Sequence, residues 1–420
     1  MEKKVKNRMV KKIAAAFAAV CMTISMGLSA VSADAAAIGS DGKAAAGTSV
    51  SFQKVLRITN PEDGVKINVP ATEFKYETSL VGRVEIPEGG SSETGTVIGK
   101  DQESAGNYIA STAVNPTAVT VSFPGSVSQV AISGKKAEVS ENAEIDFSAI
   151  EWRAPGVYRF LVKEERTNKS VAYNAAYTDL TDEESRRYID VYVNAVSTSD
   201  GSIKYQIVGY VFLKAEKGTG GTVTYKKTTG YTDDGGNGGN GGSTSGTAVT
   251  IYETYNLTVK KVIKGTMAKA SDVFNFTVSA DGTQEIPADM MTTTNSDSSP
   301  VPSYNGVKQE YTAGLKGGDS LIIKGLAKLA NVTVVESEQD AKNYKTEITS
   351  TGSLSKDETA RTAGLHMDTD RDVTYTNTSS TENVTPTGIV RMVAPYLMIV
   401  VMALLLAVVF FRSKKTETID

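Results

Sequence analysis

Three polar side chains stand where alternating strands should present hydrophobes. Leu257, Val259, Lys261 and Ile263 share one face of a period-two run. Val332, Val334 and Glu336 repeat that pattern, and so do Val373, Tyr375 and Asn377. An amine, a carboxyl and a carboxamide are thereby aimed at one core. Burying any of them unpaired is costly. Burial lowers a lysine pKa and raises a glutamate pKa. A neutral amine is a nucleophile, and a protonated carboxyl can polarise an amide carbon. In a dry core, Lys261 can therefore attack the carboxamide of Asn377 and expel ammonia, leaving an amide cross-link, with Glu336 carrying the protons. The same spacing also fits a snorkelling strand-edge lysine, an exposed glutamate and an asparagine that ends a strand at a turn.

The elements that hold these residues are strands. Thr, Ser, Val and Tyr are abundant and apolar residues alternate over short runs, which predicts an all-β fold of sandwich type. Gly235 to Gly246 reads GGNGGNGGSTSG, a composition that cannot build a core. It predicts two sandwiches, 48–229 and 248–379, with a Gly-rich linker at 230–247. Each is large enough for its own core. The net charge of −4, with no basic block away from the termini, argues against a nucleic-acid partner. There is one histidine, His366, and neither a phosphate-binding loop nor a hydrolase or metalloprotease motif. No enzyme activity, cofactor or metal site is expected. The single cysteine, Cys21, leaves no disulfide or thiolate site in the body of the chain.

Both ends carry targeting signals. Lys3, Lys4, Lys6, Arg8, Lys11 and Lys12 precede the apolar stretch Ile13 to Leu28 and the small-x-small site Ala33-Asp34-Ala35, predicting a signal peptide over 1–35. Near the other end stand Val384, Thr385, Pro386, Thr387 and Gly388. An apolar run over 392–411 follows, then a basic tail over 412–420 that begins Arg412-Ser413-Lys414-Lys415. About twenty apolar residues suffice for a transmembrane helix, and the basic tail would stay in the cytoplasm. Pentapeptide, span and basic tail in this order resemble the sorting signal of a sortase substrate. The implied cleavage lies between Thr387 and Gly388, with transfer of the threonyl carbonyl to an amine. The usual pentapeptide is Leu-Pro-x-Thr-Gly; here the proline stands one place later, as in some variant signals.

Several blocks resemble the two-domain major, or backbone, pilins of streptococcal type. They are NLTVKKVIKGTMAKASDVFNF at 256–276, VTYTNT at 373–378, MVAPY at 392–396, EIDFSAIEW at 144–152, PGVYRFLVKEE at 155–165 and IVGY at 207–210. The resemblance covers most of the ectodomain, in the same order. It implies immunoglobulin-like (CnaB-type) sandwiches and a cell-surface subunit that a sortase joins to copies of itself in a covalent fibre. The fibre would end on peptidoglycan or a basal pilin, with the precursor held in the membrane. It also implies that Lys261 and Asn377 form an isopeptide bond with Glu336 assisting.

The first domain matches that pattern less well. Val50, Phe52, Lys54, Leu56 and Ile58 give a lysine-bearing face, and Tyr158, Phe160, Val162 and Glu164 give the carboxyl strand. The expected last strand, Val223, Tyr225 and Lys227, has lysine where the family has asparagine. A second amine supplies no acyl group. Either Lys54 and Glu164 form an ion pair, or a nearby Asx serves a bond. For joining subunits, the resemblance points to a lysine just before this strand. Lys217 is the expected acceptor, with Lys214, Lys226 and Lys227 as alternatives. A monomeric wall-anchored adhesin that binds a host or matrix ligand would share most of these features and is the alternative reading.

Overall fold

The structure, a computed structural model, describes residues 49–99, 115–125, 129–217, 222–228, 231, 249–294, 300–305, 308–341, 343–379, 396 and 398–407. The expected signal peptide, sorting pentapeptide and basic tail lie outside these residues, as do most of the expected span and the expected linker 230–247 apart from Tyr231, which is buried in the first unit against Phe52 and Tyr76. Residues 398–407 are helical. Among the described residues no helix is long and apolar enough to cross a membrane.

The chain is all-β and divides into two compact units, Met1–Thr254 and Tyr255–Asp420. The division falls after the Gly-rich run, not within it. The reason is the strand Thr250–Lys264. Its first residues pair in parallel with the opening strand Ser49–Thr59, from Leu56 opposite Thr250 to Thr59 opposite Glu253. The first unit is therefore closed by residues around 250, and Val223–Lys227 is not its last strand.

In the first unit, Ser49–Thr59 is flanked by that parallel segment and by Lys136–Asp146, which pairs with it antiparallel along its whole length. The facing sheet runs Val223–Lys227, Ile203–Lys217, Arg186–Ser197, Gly156–Arg166, Thr72–Glu85. Strict alternation in Ser49–Thr59 points Val50, Phe52, Lys54, Leu56 and Ile58 inward. Phe52 meets Tyr76 and Phe212 of the facing sheet edge-on, with centroids 4.9 and 5.2 Å apart.

The second unit repeats this plan. The segment Leu257–Lys264 pairs in parallel with the last strand Arg371–Thr378, which also pairs antiparallel with Lys345–Ser350. The facing sheet contains Lys308–Leu315, Phe274–Asp281, Asn331–Glu336 and Thr362–His366 in that order. Phe276 and Tyr375 close the core between the sheets, 5.1 Å apart. Gly265 ends the first strand at φ +104°, where a Cβ would lie 1.9 Å from the Ser379 carbonyl oxygen. Only glycine lets the two parallel strands remain paired that far, and this pairing carries Asn377 to its place.

Candidate functional site

The second unit brings Lys261, Glu336 and Asn377 together. All three are fully buried or nearly so. Parallel pairing sets Ile263 opposite Asn377, two residues past Lys261, so both side chains project from neighbouring strands onto one face. Glu336 faces them from the other sheet, opposite Phe276 in its own ladder. The Lys261 amine donates to Glu336 Oε1 at 2.5 Å. Asn377 Nδ2 donates to the same oxygen at 3.0 Å. The hydroxyl of Thr346 donates to Glu336 Oε2 at 3.3 Å. Asn377 Oδ1 is buried with no hydrogen-bond donor. The Lys261 amine also rests 4.0 Å from the centroid of the Phe274 ring.

This environment sets the chemistry. Burial pushes the Lys261 amine down to about 8, against the pull of Glu336. The amine therefore loses its proton more readily than a free lysine, with Glu336 as its first neighbour and the Asn377 carboxamide on the same oxygen. Amine, carboxyl and carboxamide lie together in the buried core.

The first unit places Lys54 and Glu164 together as a buried ion pair. Tyr76 faces Glu164 in the ladder and donates its hydroxyl to Oε2 at 2.8 Å. The Lys54 amine donates at 3.0 Å to the hydroxyl of Thr250 and lies 4.0 Å from the Phe74 ring centroid. Burial lowers the Lys54 pKa, opposed by Glu164. Lys227, expected at the asparagine position, is elsewhere. It sits half exposed on the edge strand Val223–Lys227 and pairs with Glu93 at 3.8 Å. Thr250 takes that place because the chain returns after the Gly-rich run to close the sheet. Sequence reasoning missed Thr250, Tyr76 and Thr346. Thr250, Tyr252 and Thr254 alternate as a strand does, but nothing in that pattern marks Thr250 as a partner for Lys54.

Of the proposed acceptor lysines, Lys217 is exposed and ends Ile203–Lys217, opposite Val223. Lys226 pairs with Glu216 at 2.7 Å. Lys214, half-buried, lies opposite Lys226. The edge strand is held down from beneath, where the Arg159 guanidinium, paired with Asp190, stacks 3.9 Å from the Tyr225 ring.

The chain is similar to several known proteins. A pilin of Streptococcus pyogenes serotype M1 is 24% identical over 367 residues, covering 86% of this chain and 90% of that protein. The chain resembles the streptococcal major pilins. The crystal structure of the major pilin from Streptococcus pyogenes aligns with 78% of this chain and 98% of its own, at 17% identity and a TM-score of 0.46. A bacterial adhesin from Mobiluncus mulieris, containing intramolecular disulfide, isopeptide and ester cross-links, aligns with 79% of this chain and 98% of its own, at 12% identity and a TM-score of 0.26. Residues 255–379 match a family model described as a domain of unknown function (DUF7601).

Proposed function

We infer that this chain is the backbone subunit of a sortase-assembled covalent surface pilus, and that its second unit locks itself by a Lys261–Asn377 isopeptide bond. The observation that carries the bond is the buried amine, carboxyl and carboxamide converging on Glu336. Lys261 Nζ attacks Asn377 Cγ. The new N–C bond forms, the C–Nδ2 bond breaks, and Glu336 passes an amine proton to the departing nitrogen, which leaves as ammonia. Electrons and atoms balance with no cofactor. The reaction is single-turnover and internal, so the chain is a structural protein rather than an enzyme acting on other molecules.

Assembly uses the two ends of the sequence. The precursor is exported by residues 1–35 and held by the apolar run 392–411 until sortase cleaves between Thr387 and Gly388. The acyl group then passes to an exposed lysine of another copy, or finally to peptidoglycan or a basal pilin. Lys217 fits the acceptor role because it is exposed and ends a hairpin strand, away from the buried faces of Lys54 and Lys261. Lys214, Lys226 and Lys227 are the alternatives. A flexible Gly-rich tether between domains would suit a monomeric adhesin better than a stiff shaft. The Gly-rich run precedes the strand segment that closes the first unit, so that argument loses its basis.

The test is an immunoblot of cell-wall extract from cells carrying the native chain or Lys217→Ala. A ladder of multimers for the native chain, lost in Lys217→Ala, is expected. A single band for the native chain would favour the adhesin. A ladder that persists in Lys217→Ala would move the acceptor to Lys214, Lys226 or Lys227.

A further inference from the structure

The two buried lysine sites correspond position by position. Leu56, two residues past Lys54, pairs in parallel with Thr250; Ile263, two residues past Lys261, pairs in parallel with Asn377. Glu164 lies opposite Tyr76 and Glu336 opposite Phe276. Phe74 and Phe274, each two residues earlier on those strands, sit 4.0 Å beneath the respective amines. Thr250 therefore occupies in the first unit the place that Asn377 occupies in the second.

A threonine hydroxyl brings no acyl carbon. Among the described residues, the other groups acting on the Lys54 amine are the carboxylates of Glu164 and Asp179 and the Arg187 guanidinium, none of them an activated acyl group. Its hydrogen-bond partners are Glu164 and Thr250, and a carboxylate does not expel oxide to an amine. Threonine and asparagine are close in size. A cavity of about 140 Å³, open to the surface, touches Thr250, Glu164 and Phe74 and would give ammonia a way out.

We propose that Lys54, Glu164 and position 250 form a second amide-forming site that Thr250 holds unreacted, a carboxamide at that position being all it lacks. The step would be the one written for the second unit: Lys54 Nζ bonds to the carboxamide carbon, the carbon–nitrogen bond breaks, and Glu164 carries the proton to the leaving ammonia. This inference rests on the bond-forming reading of the second unit. It makes the native chain asymmetric, with one cross-linked unit and one held by an ion pair.

The test is intact mass and peptide mapping of the 36–387 ectodomain. The native chain should lose one ammonia, about 17 Da, and yield Lys54 as a free lysine. Thr250→Asn should lose a second, with the peptides around 54 and 250 joined. Adding Glu164→Gln to Thr250→Asn should abolish the second loss only. If Thr250→Asn keeps Lys54 free while its Lys261–Asn377 bond forms and its melting is cooperative, the proposal is overturned. Lys54 already cross-linked in the native chain would overturn it equally. Should Thr250→Asn not fold, Thr250→Asp is read instead for loss of one water; no loss in a folded Thr250→Asp overturns the proposal. No ammonia loss from Lys261 alongside a joined Lys54 would instead sink the reading of the second unit.

Discussion

Both units bury a lysine against a glutamate at the same point of the same sandwich, yet they surround it differently. In the second unit one oxygen of Glu336 receives both the amine and the carboxamide, and the other takes only a long contact from Thr346. In the first, one oxygen of Glu164 receives Lys54 and the other a 2.8 Å bond from Tyr76, while the amine turns also to Thr250. Phe276, at the place of Tyr76, offers Glu336 no donor. Both lysines are ion-paired, but the first pair is completed by two hydroxyls and the second by a carboxamide, whose Oδ1 is left without a donor. On the proposed reading, a buried lysine's third and fourth neighbours decide whether it becomes a reactant or a structural charge.

The largest effect that tests this contrast is expected from Glu336→Ala. It should abolish the ammonia loss and with it the link between first and last strands. A covalent closure of a loop of about 100 residues is worth about 4.7 kcal/mol in the chain-entropy model. The melting transition of the second unit should fall by many degrees and the unit should become sensitive to trypsin. Full ammonia loss in Glu336→Ala would show that another group carries the protons.

A smaller loss is expected from Glu164→Ala, which strands the Lys54 charge and should cost about 3–5 kcal/mol in the first unit without changing its mass. Replacing the pair as Lys54→Met with Glu164→Leu should recover most of that, since a matched apolar pair is often neutral against a buried ion pair. Chemical denaturation with a probe in each unit would read both. If the double variant is as unstable as Glu164→Ala, the ion pair is not what the site depends on.

The least dramatic effect concerns rate rather than endpoint. With Lys261 at about 8, the reactive neutral amine grows as pH rises towards that value and levels off above it. Chain recovered unfolded and unreacted, then diluted into native buffer, should lose ammonia faster at pH 8 than at pH 6. A rate that is flat across this range would mean that amine deprotonation does not limit the step.

Much of the second site was legible because each member interrupts an apolar alternation. Lys261, Glu336 and Asn377 are wrong for their faces, and a period of two says which face that is. The first unit was half legible for the same reason, through Lys54 and Glu164. Its third member was not, because threonine is an ordinary strand residue and breaks no pattern. Its strand also lies beyond a glycine run that composition marks as a boundary. Composition shows where a chain cannot make a core, but not whether it returns to complete the one it left. Tyr76 and Thr346 were invisible because their roles depend on cross-strand partners that only the ladder brings opposite.

The parallel pairing of first and last strands has a mechanical consequence. With Lys261 joined to Asn377, tension applied to the chain on either side of the second unit passes from residue 261 straight to 377. The intervening residues, from Val262 to Thr376, lie off the load path and cannot be drawn out. With Lys54 unreacted as proposed, the first unit has no such shunt, and a pull from Lys54 to Thr250 is borne by hydrogen bonds. Under force the chain would then lengthen in its first unit and not in its second, a spring in series with a rigid rod.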